Sequence, residues 1–148
     1  MKPADTKILE YMRHNARTNL TTISRKTGIP VSTIFDRLRS QEGEFITKFT
    51  ALVDFTKLGY SVRANVFLKV DPQNRDAIKS HLLVHGSVNN LYRINNGYDF
   101  AAECVFFSIK EMEEFVETLE MQFKVLDKHV FHIIDDIARE KVMALQTH

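Results

Sequence analysis

Residues Leu20 to Gln41 read LTTISRKTGIPVSTIFDRLRSQ, two short helical segments broken at Gly28-Ile29-Pro30. Leu20, Ile23 and Thr27 recur at helical spacing and predict the inward face of the first segment. Gly28 supplies the freely chosen φ that a tight turn requires, and Pro30 fixes the start of the second segment. Together these features outline a helix-turn-helix. In the second segment Ile34 and Leu38 share one face, while Ser32, Thr33, Asp36, Arg37, Arg39 and Ser40 fill the rest. A helix with so narrow an apolar stripe, and so many short polar or cationic side chains, fits a DNA major groove.

Upstream, Pro3 and Asp5 open a helix whose inward stripe is Ile8, Tyr11 and Met12, and Thr18 or Asn19 caps the next one. Downstream, Glu42-Gly43-Glu44 ends the second segment. The following FITKFTALVDF is rich in β-branched and aromatic residues and predicts a wing strand running into a connecting strand. Asp54 to Tyr60 is then a hinge.

The net charge of +1 conceals an uneven distribution. Residues 1–50 hold nine Lys/Arg and five Asp/Glu, or +4, and residues 51–148 hold eleven and fourteen, or −3. A basic head that meets nucleic acid and a near-neutral body follow from that split. One cysteine excludes an intrachain disulfide framework and a cysteine-rich zinc site. No apolar run approaches the length that spans a bilayer, and MKPADTK has no signal core, so a cytoplasmic protein with no membrane partner is expected.

The body alternates strand and helix signals. From Ser61 to Val70 the even positions are apolar and the odd ones mostly polar, which predicts a strand with one buried face. A helix is expected over 73–84, strands over 88–95 and 99–107, a helix introduced by the capping box Ser108-Ile109-Lys110-Glu111, and a last strand over 129–137. Asn96-Gly97 is a turn that favours positive φ. The order β-α-β-β-α-β predicts an α+β chain: a winged helix-turn-helix over 1–50, a hinge over 51–60, a ferredoxin-like domain over 61–137 and a polar tail over 138–148 that frays. Two helices would cover one sheet face, and the other face needs a partner.

This arrangement resembles the Lrp/AsnC, or feast/famine, family of transcriptional regulators. The resemblance rests on Asp5-Thr6-Lys7-Ile8-Leu9, Thr27 to Ile34, Arg37-Leu38, Thr50 to Asp54, Lys57 to Ser61 and Tyr92 to Asp99, in this order and spacing. It implies a homodimer built on the body sheets, assembling further into tetramers or octamers, that binds double-stranded DNA through paired heads. It also implies an amino acid or similar small effector beside the turn between the second and third strands, here Asn95, Asn96, Gly97, Tyr98 and Asp99. The chain departs from the family pattern where Asn96 stands for glycine and Gln41 for leucine, and the Glu-Gly turn after Gln41 is one residue shorter.

Several residues carry two readings. Ser32, Thr33 and Asp36 gain base-edge access with Val31 and Ser40 on the same interface, and Arg25, Lys26, Arg37 and Arg39 lie near phosphates. Arg37 alternatively braces the head through a carboxylate, and Phe35 either meets a thymine methyl or packs against the first helix or a partner head. Asp99 binds an effector ammonium, or the Asn-Gly turn is structural only. His81 and His85 have metal-ligand spacing but no third ligand nearby, so no metal is expected. Cys104 alternates with core residues, and Glu111, Glu113, Glu114, Glu117 and Glu120 form a solvated helix face. No convergent nucleophile, base and orienting group appears, so no cofactor or catalytic residue is assigned, although siroheme decarboxylases share the architecture. The expected function is a DNA-binding regulator tuned by a small metabolite, with an architectural DNA-wrapping protein as the alternative.

Overall fold

The computed structural model describes residues 1–145, which form two compact units, 1–52 with the segment from Ile137 onward, and Val53–Asp136. The first unit holds three helices, α1 (Pro3–His14), α2 (Leu20–Thr27) and α3 (Val31–Gln41). They pack around Ile8, Met12, Ile23 and Ile34, with Tyr11, Leu20, Ile29 and Leu38 closing the edge of this small core.

The second unit carries β1 (Val62–Val70), a 3₁₀ turn at Pro72–Asn74, α4 (Arg75–Val84), β2 (Val88–Arg93), β3 (Phe100–Phe106), α5 (Ile109–Gln122) and β4 (Val125–His132). The strands lie in the order β2-β3-β1-β4 and all pairs are antiparallel. This is the ferredoxin-like arrangement expected from the sequence. Strict alternation in β1 sends Val62, Ala64, Val66, Leu68 and Val70 inward, where Ile78 and Leu82 of α4 and Met112, Phe115, Val116 and Leu119 of α5 cover them. Cys104 is part of this core, and burial pushes its thiol up to about 12.

Three expectations need correction. The segment 45–55 forms no strand among the described residues. Only an isolated bridge joins Glu42 to Ile46, because β propensity without a partner edge leaves backbone groups unpaired. The expected hinge carries local contacts of its own. Leu58 and Tyr60 N–H groups both donate to the Phe55 carbonyl, and the Tyr60 ring stacks on Phe107 at 4.3 Å. The last strand runs over Val125–His132 rather than 129–137, since β1 offers partners only back to Val62. Finally, the tail is tied down as far as it is described: Arg13 of α1 bonds the Val142 carbonyl and Glu140, each at 3.0 Å. The last three residues of the expected tail lie outside the described residues.

The capping box at α5 is offset by one residue. Ser108 Oγ accepts from the Glu111 N–H as expected, but the Glu111 carboxylate reaches back to the Phe107 N–H.

Candidate nucleic-acid interface

Local chemistry sets the helices of the head. The Asn19 side chain caps α2 by accepting from the Thr22 N–H at 2.8 Å. Gly28 ends that helix at φ 75°, a left-handed conformation that glycine adopts without strain. Pro30 then precedes the first residue of α3.

One face of α3 carries Ile34, Leu38 and Gln41 into the head, and Ile34 and Gln41 are buried. At 100° per residue the opposite face is centred on Ser32, Asp36, Arg39 and Ser40, with Val31, Thr33 and Phe35 at its margins. All seven are exposed, as are Arg25 and Lys26 in the last turn of α2. The exposed face of α3 and these two cations are presented without an ion pair to any described residue. Phe35 is 52% exposed and lies outside the head core cluster.

Arg37 behaves differently from the phosphate contact expected of it. Its Nε donates to Asp5 Oδ1 at 2.7 Å and its terminal nitrogen to Asp5 Oδ2 at 2.5 Å, so the bracing alternative is the one realised. The guanidinium fork holds the Asp5 carboxyl well below the usual carboxylate range, and the same hydrogen bonds raise Arg37. Gln41 completes the arrangement, its amide donating to Asp5 Oδ1 at 3.2 Å and to the Asp5 carbonyl at 3.3 Å. Its Oε1 is buried without a partner among the described residues. The glutamine at a family leucine position is therefore a second donor to a buried carboxylate.

The turn between β2 and β3 places Asn96 at φ 63° and Gly97 at φ 84°, the paired positive values of a type I′ hairpin turn. Asp99 is only 5% exposed, and its carboxylate is not offered to a ligand. One oxygen accepts from the Val70 N–H at 2.8 Å, and the other from Arg75 at 3.0 Å. The ammonium-binding role expected of Asp99 is corrected accordingly: buried just before β3, the carboxylate is consumed by a backbone N–H and a guanidinium. Asp99→Ala strands the Val70 N–H and costs the body about 2–3 kcal/mol, measurable by denaturant unfolding.

Tyr98 faces outward and donates to Asp127 at 2.9 Å. That bond raises the Tyr98 phenol and lowers the Asp127 carboxyl. Asp127 is absent from the sequence-based site because the last strand is expected to begin at His129. The early start of β4 pairs Asp127 with Lys69 and brings it beside the turn.

The His81 and His85 rings are engaged within the fold. Their ring centroids lie 5.8 Å apart, His85 Nδ1 accepts from the Ser87 N–H, and their rings pack against Phe123 and Phe115. No group of three or more metal-ligating side chains occurs among the described residues. No helix is long and apolar enough to cross a membrane among the described residues.

Residues 1–40 match the family of winged helix-turn-helix DNA-binding domains. The HTH-type transcriptional regulator FL11 of Pyrococcus furiosus is 30% identical over 114 residues, covering 76% of each chain. Among solved structures, a transcriptional regulator of Neisseria meningitidis in complex with L-methionine superposes at a TM-score of 0.85, with 16% identity over 94% of this chain and 93% of the other. LrpC of B. subtilis gives 0.83 at 21% identity, covering 93% and 97%. E. coli AsnC gives 0.81 at 18% identity, covering 94% and 95%. The structural likenesses carry the fold, and the FL11 relative carries the kinship. With its exposed α3 face and its ferredoxin-like body, the chain belongs to the Lrp/AsnC family of DNA-binding transcriptional regulators.

Proposed function

We propose that the chain acts as a homodimer that inserts α3 of each head into successive major grooves of a pseudo-palindromic site, and that a small amino acid tunes this binding. The observation that carries the DNA part is the split of α3, whose core-facing residues leave Ser32, Thr33, Asp36, Arg39 and Ser40 in solvent. Ser32, Thr33 and Asp36 read base edges, Asp36 by accepting from a cytosine amine, while Val31 and Ser40 line the groove. Arg25, Lys26 and Arg39 meet phosphates. Arg37 serves the head from inside.

The dimer uses the sheet face opposite the helices. Tyr92 and Phe131 are 55% and 57% exposed, and Phe131 meets Phe67 edge-on at 5.7 Å, so an aromatic patch stands there without a covering layer from this unit. For the effector, the turn Asn95 to Tyr98 supplies backbone N–H groups for a carboxylate. With Asp99 engaged, Asp127 beside Tyr98 is the carboxylate suited to the ammonium. The Neisseria relative bound L-methionine, which supports an amino acid as the class.

Selection of genomic fragments on the purified chain, with and without pooled amino acids, tests both halves. A small set of fragments sharing a two-fold motif is expected, with enrichment that changes when the amino acids are added. No retention of any fragment at low salt overturns the DNA reading, and identical enrichment under both conditions overturns the effector.

A further inference from the structure

A pocket of about 200 Å³ lies between α4 and the β2–β3 hairpin, lined by Arg75, Asp76, Lys79, Leu83, Leu91, Arg93 and Phe100. Its floor is apolar: Phe100 is buried in the core, and Leu91 packs against that core. Its rim is cationic. Arg75 is held in place by Asp99, with Nε and a terminal nitrogen both 3.0 Å from one carboxylate oxygen. Arg93 approaches the same oxygen at 3.7 Å and sits over the Phe100 ring at 5.9 Å. One oxygen thus faces two guanidiniums, while its twin is taken by the Val70 N–H. Lys79 adds a third cation without an ion pair to any described residue. Asp76 sits in the first turn of α4, favourably placed at the positive end of the helix dipole. Three cations against two carboxylates leave the pocket one positive charge in excess.

We propose that this pocket is a second small-molecule site, taking a compact carboxylate that carries an apolar tail and no ammonium group. The ligand carboxylate meets the free donors of Arg93, Arg75 and Lys79, and guanidinium planes favour it by two-point hydrogen bonding. The tail covers Leu83, Leu91 and Phe100. An α-ammonium would lie next to the ligand carboxylate and so beside the donors of Arg93, Arg75 and Lys79, where the excess positive charge disfavours it. The site is therefore selective for a carboxylic acid over the amino acid of the same skeleton. It goes beyond the effector reading of the turn, because it uses other side chains and the opposite ligand preference.

Isocaproate and leucine share one skeleton and differ by the ammonium. Each is titrated into the full chain, alongside uncharged isocaproamide, with amide and methyl chemical shifts as the readout and no DNA present. Isocaproate is expected to shift Lys79, Leu83, Leu91 and Arg93 saturably, with leucine and isocaproamide at least about tenfold weaker at those positions. Lys79→Gln and Arg93→Gln, both on the exposed rim, are expected to weaken isocaproate several-fold with unchanged circular dichroism. Unmoved pocket resonances at about 10 mM isocaproate, equal binding of leucine or isocaproamide, or unchanged affinity in both variants would each overturn the proposal. So would isocaproate shifts centred on Asn95 to Tyr98. Failure here leaves the DNA and effector experiments untouched, since neither depends on these side chains.

Discussion

Asp5→Ala is expected to melt the head and abolish DNA binding without removing any DNA contact. The Asp5 side chain is 2% exposed and accepts from Arg37 at 2.7 and 2.5 Å, from Gln41 at 3.2 Å and from the Lys2 N–H at 3.3 Å. Losing it leaves Gln41 with the Asp5 carbonyl as its remaining acceptor in the interior and frees a guanidinium that bridges α3 to α1. For a unit of this size the midpoint of thermal unfolding falls by at least about 5 °C. Arg37→Ala is worse, because it leaves a buried carboxylate with no counterion. The double replacement Asp5→Leu with Arg37→Met costs less than the sum of the two single changes, since neither charge is then abandoned. Thermal melts with head-specific amide shifts read the effect. A head that melts as the parent does while losing DNA would show instead that Arg37 or Asp5 touches DNA.

The same pair sets an acid limit. The Asp5 carboxyl is depressed in the folded head, first by the Arg37 hydrogen bonds. A depressed carboxyl stabilises the fold above its unfolded value, near 3.9, and that contribution is lost as pH falls toward the folded value. Head stability is expected to be flat from neutral pH down to about pH 5 and to fall below about pH 4. Asp5→Asn should remove that acid-dependent step.

Arg25→Ala combined with Lys26→Ala is expected to leave the head folded and to flatten the salt dependence of DNA binding. Both side chains are exposed at the end of α2, so the substitution removes no packing of consequence. In the proposed dimer four phosphate contacts disappear, and the slope of log affinity against log salt becomes less steep by about 3.6. Arg39→Ala removes two more contacts per dimer, a further change of about 1.8. Affinity drops across specific and bulk DNA alike, because phosphates position the protein and carry no sequence. Fluorescence titrations over a salt series decide the matter. An unchanged slope with unchanged affinity would exclude these cations from the interface.

These two experiments separate residues that look equivalent in the sequence. Arg37 and Arg39 stand two apart on one helix, each with Leu38 on one side and a short polar residue, Asp36 or Ser40, on the other. Only their angular position on the helix distinguishes them, and only the presence of Asp5 on α1 gives Arg37 an internal partner. Asp99 and Tyr98 make a similar contrast. Both belong to the expected effector turn and precede β3, yet the Asp99 carboxylate is taken by the Val70 N–H and Arg75 while Tyr98 donates to Asp127.

The sequence by itself determined the features written in short-range chemistry. The α2–α3 turn follows from Gly28 and Pro30, the type I′ turn from Asn96-Gly97, and the buried face of β1 from its alternation. Nearest neighbours impose each of these, so a local reading suffices. The tertiary structure decided what depends on a partner distant in the chain: Asp5 and Gln41, thirty-six residues apart, the ends of β4 set by the length of β1, and the absence of a strand over 45–55. A strand exists only where another edge completes its hydrogen bonds, and a buried carboxylate whose two oxygens are both taken, as in Asp99, is not available to a ligand.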